Sequence, residues 1–130
     1  MANFIAFDLE GPLSPQDNAY ELMKLFPNGD RIFEVISRYD DLLTLSEKEG
    51  YEPGDTLALI VPFLVLHNIS EDNISALAAK ASLTGGAKDL VYWLQVEGWR
   101  TFCISTSYQQ YMHALCSLIG FSFENVYCTR

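Results

Sequence analysis

Apolar residues fall along this chain in two registers. Residues 3–7 (NFIAF) form a short run that Asp8 ends, which predicts a buried strand. Gly11, Pro12 and Pro15 then interrupt regular structure. From Ser14 onward the spacing is helical. Ser14-Pro15-Gln16-Asp17 offers a capping hydroxyl, proline at the first helical position and an acid three residues after the cap. It predicts a helix to about Phe26, which Pro27-Asn28-Gly29 ends. Asp30 caps a second helix, with Ile32, Phe33, Ile36, Tyr39, Leu42 and Leu43 on one face and Gly50 and Pro53-Gly54 as the stop. Residues 56–69 are apolar all round and predict a buried helix bent at Pro62. Ser70, followed by Glu71 and Asp72, caps a fourth helix through about Ala81.

Past Gly85-Gly86 the pattern alternates. Residues 87–97 predict an amphipathic helix that Gly98 ends, and residues 101–104 a short buried strand ending at Ser105. Residues 109–119 predict a helix before Gly120, and residues 125–128 the start of a third strand. Strand, helix, strand, helix, strand with short links is a parallel α/β unit. The expected fold class is therefore α/β: a partial Rossmann-like parallel sheet from residues 1–13 and 83–130, with an all-helical insert over 14–82. An insert directly after the first strand sits at the carboxyl ends of the strands, where α/β proteins place their sites.

Composition narrows the function. In 130 residues, 49% are hydrophobic and 19% charged, enough for one domain with a core and too apolar for a disordered chain. The net charge of −9 argues against a broad nucleic-acid surface. The excess is one-sided: residues 1–60 carry 12 acids and 4 bases, residues 61–130 carry 5 and 4. The apolar run 57–66 is too short to span a bilayer, and no basic region precedes the first apolar stretch, so no membrane span or signal peptide is expected. The 3 cysteines (Cys103, Cys116, Cys128) have no paired spacing, which fits reduced thiols in a cytoplasmic protein.

Two constellations carry chemistry. In Phe7-Asp8-Leu9-Glu10-Gly11, a carboxylate ends a buried strand and a second follows two residues on. Unpaired burial of such groups is costly, and the second adds repulsion unless a cation or proton relieves it. The pair fits a nucleophile with an acid/base, or a metal such as Mg2+; a surface turn or helix cap fits as well. In Ser105-Thr106-Ser107, hydroxyls at a strand end before a helix fit donors to an anion, or an ordinary N-cap. Both motifs end strands on the same side of one sheet, so they are expected to face one pocket across 97 residues of sequence.

On these residues the chain resembles the haloacid dehalogenase-like (HAD) phosphohydrolases. FIAFDLEGPLS is similar to their first motif, DxDGT or DxDGV after an apolar strand, and TFCISTS to their second. Residues 85–121 resemble the phosphoserine-phosphatase-like members around that second motif, and the helical insert is placed like their C1 cap. The resemblance implies that Asp8 is the nucleophile forming an aspartyl-phosphate and a Mg2+ ligand. It implies that Glu10 is the second acid, protonating the leaving group and then activating water, with its carbonyl on the metal. Ser105 would hydrogen-bond the phosphoryl group, with Thr106 and Gly11 beside it. The cap would close over the pocket and select a small phosphorylated metabolite. The chain departs from the pattern in two respects: Glu10 replaces Asp, and Pro12 stands where Thr or Val is usual. The third-motif Lys and fourth-motif acids would lie beyond Arg130; Lys80, Lys88 and Glu124 lie in the wrong places to replace them.

Two functions follow. One is a Mg2+-dependent phosphohydrolase or phosphotransferase, with this chain as part of a longer enzyme. The other is a HAD-like domain without catalysis, whose acidic first half steers a basic partner. A receiver-like phosphoacceptor domain has no place for a helical insert after its first strand. A half-core leaves a sheet edge unpaired, so homodimer formation or aggregation is expected. His67, His113, Trp93, Trp99, Tyr92 and Tyr111 read as helix-end or packing residues. Asp40-Asp41 and Glu47-Lys48-Glu49 read as solvated helix surface.

Overall fold

The computed structural model describes residues 2–130; Met1, counted in the core above, lies outside the described residues. The fold class is α/β. Strands β1 (Phe4–Phe7), β2 (Arg100–Tyr108) and β3 (Val126–Thr129) form one parallel sheet in the order β1-β2-β3. Phe4 pairs with Arg100 and Phe7 with Cys103, while Cys103 pairs with Val126. The helices are α1 (Asn18–Met23), α2 (Gly29–Leu45), α3 (Ile60–Leu66), α4 (Glu71–Lys80), α5 (Ala87–Val96) and α6 (Gln109–Ile119). Short 3-10 turns cover Asp55–Leu59 and Phe123–Asn125.

The chain divides into two compact units, residues 1–18 with 71–130, and residues 19–70. The boundaries differ from those expected at 13/14 and 82/83, because α4 belongs with the sheet. Ala78 is buried in the same cluster as Leu9, Val91, Cys103, Met112, Leu115 and Cys116, with Ile74, Ala81 and Leu83 packed against it. That cluster is the core of the α/β unit. It takes one face of the sheet: Phe7, Cys103, Val126 and Cys128 all point into it. Phe7 also meets Phe121 edge-on at 6.2 Å between ring centroids.

In the helical unit three boundaries moved, each for a local reason. The first helix starts at Asn18 because Ser14 is occupied elsewhere: its hydroxyl lies 2.7 Å from Gln16 Oε1 and 2.8 Å from the Ser82 carbonyl. The second helix ends at Leu45, before the charged run. Glu47 takes a left-handed φ of 49°, Glu47 N–H donates to the Thr44 carbonyl at 3.1 Å, and Lys48 N–H to that of Leu43 at 3.2 Å. This is a Schellman stop without glycine. The third segment does not bend at Pro62. A 3-10 turn precedes it and α3 begins at Ile60, so Pro62 sits in the first helical turn, where its missing N–H costs nothing. His67 follows α3 and stacks on Phe26 at 4.0 Å.

Asp40 is not merely solvated. Its Oδ1 accepts from Tyr51 Oη, from Gly54 N–H at 2.8 Å and from Thr56 Oγ1 at 2.9 Å, closing the loop between α2 and the 3-10 turn. The Tyr51 hydrogen bond, with those from Thr56 and Gly54, holds its carboxyl below the usual aspartate range.

Candidate active site

The site grows from the end of β1. Asp8 follows the strand and is exposed; Leu9 turns back into the core and is fully buried; Glu10 is half-buried. The chain then makes a tight turn. Leu13 N–H and Ser14 N–H both donate to the Leu9 carbonyl, at 3.1 and 2.9 Å, and Gly11 N–H donates to the Ser14 carbonyl at 2.7 Å. Gly11 has a φ of +102°, a left-handed conformation that side chains avoid, so the turn needs glycine there. Its N–H is committed inside the turn and is not offered to a ligand. Thr84 N–H donates to the Leu13 carbonyl at 2.9 Å, fixing the turn to the segment before α5.

The second motif differs from its expected setting. β2 does not stop at residue 104 but runs to Tyr108, so Ser105, Thr106 and Ser107 lie on the strand. The pairing of β2 with β3 shifts between Ile104 and Tyr108, a bulge at those three hydroxyls. Tyr108, not Ser or Thr, is the N-cap residue of α6, and its side chain makes no capping bond. Ser105 Oγ accepts from Ser107 N–H at 3.2 Å, which leaves its own proton available. The Thr106 carbonyl accepts from Thr129 Oγ1 at 2.8 Å, and the Thr106 side chain is exposed.

The two motifs meet through one contact. Ser107 Oγ donates to Glu10 Oε1, across 97 residues of sequence. Asn18 N–H donates to the other oxygen, Glu10 Oε2, at 3.3 Å. Burial raises the Glu10 pKa above the ordinary glutamate value, Asp17 and Asp8 raise it further, and the Ser107 and Asn18 bonds oppose the rise. Burial thus shifts Glu10 toward its protonated form. The Asn18 side chain is buried with neither its Nδ2 nor its Oδ1 hydrogen-bonded.

Ser107 and Asn18 are the residues that sequence reasoning did not assign. Ser107 had a signal, since it lies two residues from Ser105 and shares its strand face once β2 runs to residue 108. Asn18 had none. For Mg2+, the available groups are the Asp8 carboxylate and the Glu10 carbonyl, because both Glu10 carboxylate oxygens accept bonds from the chain. No three His, Cys, Asp or Glu side chains converge into a metal site among the described residues. On their own these groups supply part of a Mg2+ site.

No protein-family model matches this chain, and no curated protein matches it. Among solved structures, a gene product of Archaeoglobus fulgidus is similar, with a TM-score of 0.86 and 34% identity over 98% of this chain and 41% of that chain. The DsGPDH of Dunaliella salina shares the fold, with a TM-score of 0.60 and 20% identity over 98% of this chain and 21% of that one. This chain thus spans less than half the length of either. No single helix among the described residues is long and apolar enough to cross a membrane.

Proposed function

We propose that this chain is the motif-bearing part of a HAD-like phosphohydrolase or phosphotransferase, its helical unit corresponding to a C1 cap. The observation that carries the proposal is the Glu10–Ser107 contact. It joins the first strand-end motif to the second and sets an acid whose pKa burial raises two residues from an exposed carboxylate.

In this reading an Asp8 carboxylate oxygen attacks the phosphorus of a small phosphate monoester. The bond from phosphorus to the leaving oxygen breaks, and Glu10 gives that oxygen its proton. Glu10, now a carboxylate, takes a proton from water. The water oxygen attacks the phosphorus, the bond to Asp8 breaks, and inorganic phosphate leaves with Asp8 restored. Ser105 Oγ, with its proton free, and the exposed Thr106 hydroxyl are the donors for the phosphoryl oxygens. Ser107 positions Glu10 and does not touch substrate.

The test is hydrolysis of p-nitrophenyl phosphate, with and without Mg2+, together with trapping of the labelled aspartyl-phosphate. Asp8→Asn is expected to abolish both. Undiminished turnover in that variant removes Asp8 from the role. A second reading is favoured by the partial metal ligand set: a HAD-like domain that binds and does not turn over. It predicts no labelled intermediate in the wild-type chain.

A further inference from the structure

The helical unit, residues 19–70, has a cleft of its own. Its volume is ≈ 480 Å³ and its walls are Asn28, Arg31, Ile32, Val35, Ile36 and Phe63. Small-molecule sites run from about 300 to 1,000 Å³. The first five of these residues are spaced i, i+3, i+4, i+7 and i+8, so they form one stripe at the start of α2. The stripe is polar at one end only. Asn28 and Arg31 stand at the N-terminal end of α2; Ile32, Val35 and Ile36 follow, and Phe63 of α3 joins them.

The polar end has donors to spare. Arg31 is exposed, and among the described residues no carboxylate pairs with its guanidinium. Asp30 accepts from the Arg31 backbone N–H, at 2.8 Å, and the ion pair of this unit is Lys24 with Glu21. The Asn28 side chain makes no capping bond to α2. Its backbone is pinned: Asn28 has a left-handed φ of 62°, and a Cβ on Gly29 would lie 1.7 Å from the Met23 carbonyl oxygen, so the start of α2 is pressed against the end of α1. The apolar end is accessible as well, since Val35 is 69% exposed while Ile36 is buried. The surroundings are acidic. Residues 19–70 carry 9 acids and 4 bases, a balance of −5, so an unpaired cation beside apolar side chains stands out.

We propose that this cleft binds a small amphiphile, a carboxylate head on an aliphatic tail. The Arg31 guanidinium takes both carboxylate oxygens in its fork, and the Asn28 amide is a third donor. The tail lies along Ile32, Val35 and Ile36 against Phe63. From Asn28 to Ile36 is about 12 Å of helix, which suits a tail of medium length. A single negative charge matches the single unpaired cation; a dianion such as a phosphate monoester would set its second charge against the acidic surroundings. The strand-end acids belong to the other unit, and the assignment holds whether or not the chain transfers phosphate.

The experiment titrates the 130-residue chain with octanoate by calorimetry, with octanol as the tail alone and acetate as the head alone. Octanoate is expected to bind about tenfold tighter than either, and to shift the carbon-13 methyl signals of Ile32, Val35 and Ile36. Arg31→Glu is expected to weaken octanoate about tenfold and leave octanol unchanged. Val35→Asp should weaken both. Both positions are exposed, so each variant should stay folded by circular dichroism; should Arg31→Glu unfold, Arg31→Gln carries the same expectation. Lys80→Glu, in the other unit, alters the net charge equally and should bind octanoate as wild type does. Octanoate binding no tighter than octanol overturns the proposal, as does an equal loss from Lys80→Glu and Arg31→Glu. Methyl shifts confined to Leu115 and Ile119 of the α/β core also overturn it, and octyl phosphate binding tighter than octanoate overturns the carboxylate head.

Discussion

Two carboxylates in this molecule are held by hydroxyl groups in nearly the same way, and they titrate in opposite directions. In the helical unit, Asp40 accepts from Tyr51, Thr56 and the Gly54 amide, and its carboxyl is held down. In the α/β unit, Glu10 accepts from Ser107 and the Asn18 amide, and its carboxyl is pushed up. Hydrogen bonds to the charged form lower both. The difference is burial beside other acids: desolvation leads at Glu10, with Asp17 and Asp8 adding repulsion. One cluster stabilises a charge and fastens a loop. The other, at a strand end, is shifted toward its protonated form.

That contrast breaks first, and most visibly, at Glu10. Glu10→Gln keeps a side chain able to bond Ser107 but removes the proton; hydrolysis is expected to fall about 10²–10⁴-fold with the fold intact. A variant as active as wild type would reduce Glu10 to a structural acid like Asp40. Ser107→Ala comes next. It leaves a half-buried oxygen unpaired, so urea denaturation should show a loss of about 1–3 kcal/mol, and the Glu10 carboxyl should titrate higher still by carbon-13 NMR. An unchanged titration would mean that the contact does not govern the proton.

Asp40→Asn is expected to cost less, about 1 kcal/mol, because water can replace the lost bonds at this accessible site. The pH dependences separate the two groups. Asp40 has a lowered folded pKa, so its contribution is present above the unfolded value and vanishes as pH falls through the folded one. Glu10 has a raised folded pKa. Its penalty is absent below the ordinary glutamate value and grows as pH rises through the folded one. Stability profiles of Asp40→Asn and Glu10→Gln should therefore diverge from wild type with opposite slopes; parallel profiles would refute the contrast. The smallest effect is expected at Asn18, whose buried side-chain amide has no hydrogen-bond partner among the described residues. Asn18→Leu should leave stability within about 1 kcal/mol or raise it. A marked loss would reveal a bond that the amide makes.

The elements legible in the sequence are those whose signals are local. The apolar run before Asp8, the glycines after α5 and α6, and the periodicity of residues 109–119 all mark elements near their observed places. The misplaced boundaries depend on distant partners. Ser14 looks like a helix cap until Ser82 takes its hydroxyl, and α4 looks like part of the insert until Ala78 is seen in the sheet's core. The placement of Asp8 and Glu10 just after β1 was legible because acids at the end of an apolar strand are conspicuous. That Glu10 is held by Ser107, and not by Ser105, depends on β2 continuing through a bulge, which no residue type announces.

The contacts of Leu13, Ser14 and Gln16 with Ser82 and Thr84 have a further consequence. They tie the two ends of the helical excursion together across 68 residues, at the mouth of the sheet. Once that clasp is made, the entropy lost in closing the loop grows only with the logarithm of its length. Doubling the excursion would cost about 0.6 kcal/mol. The turn after β1 can thus keep its hydrogen bonds while the intervening helices lengthen, shorten or exchange.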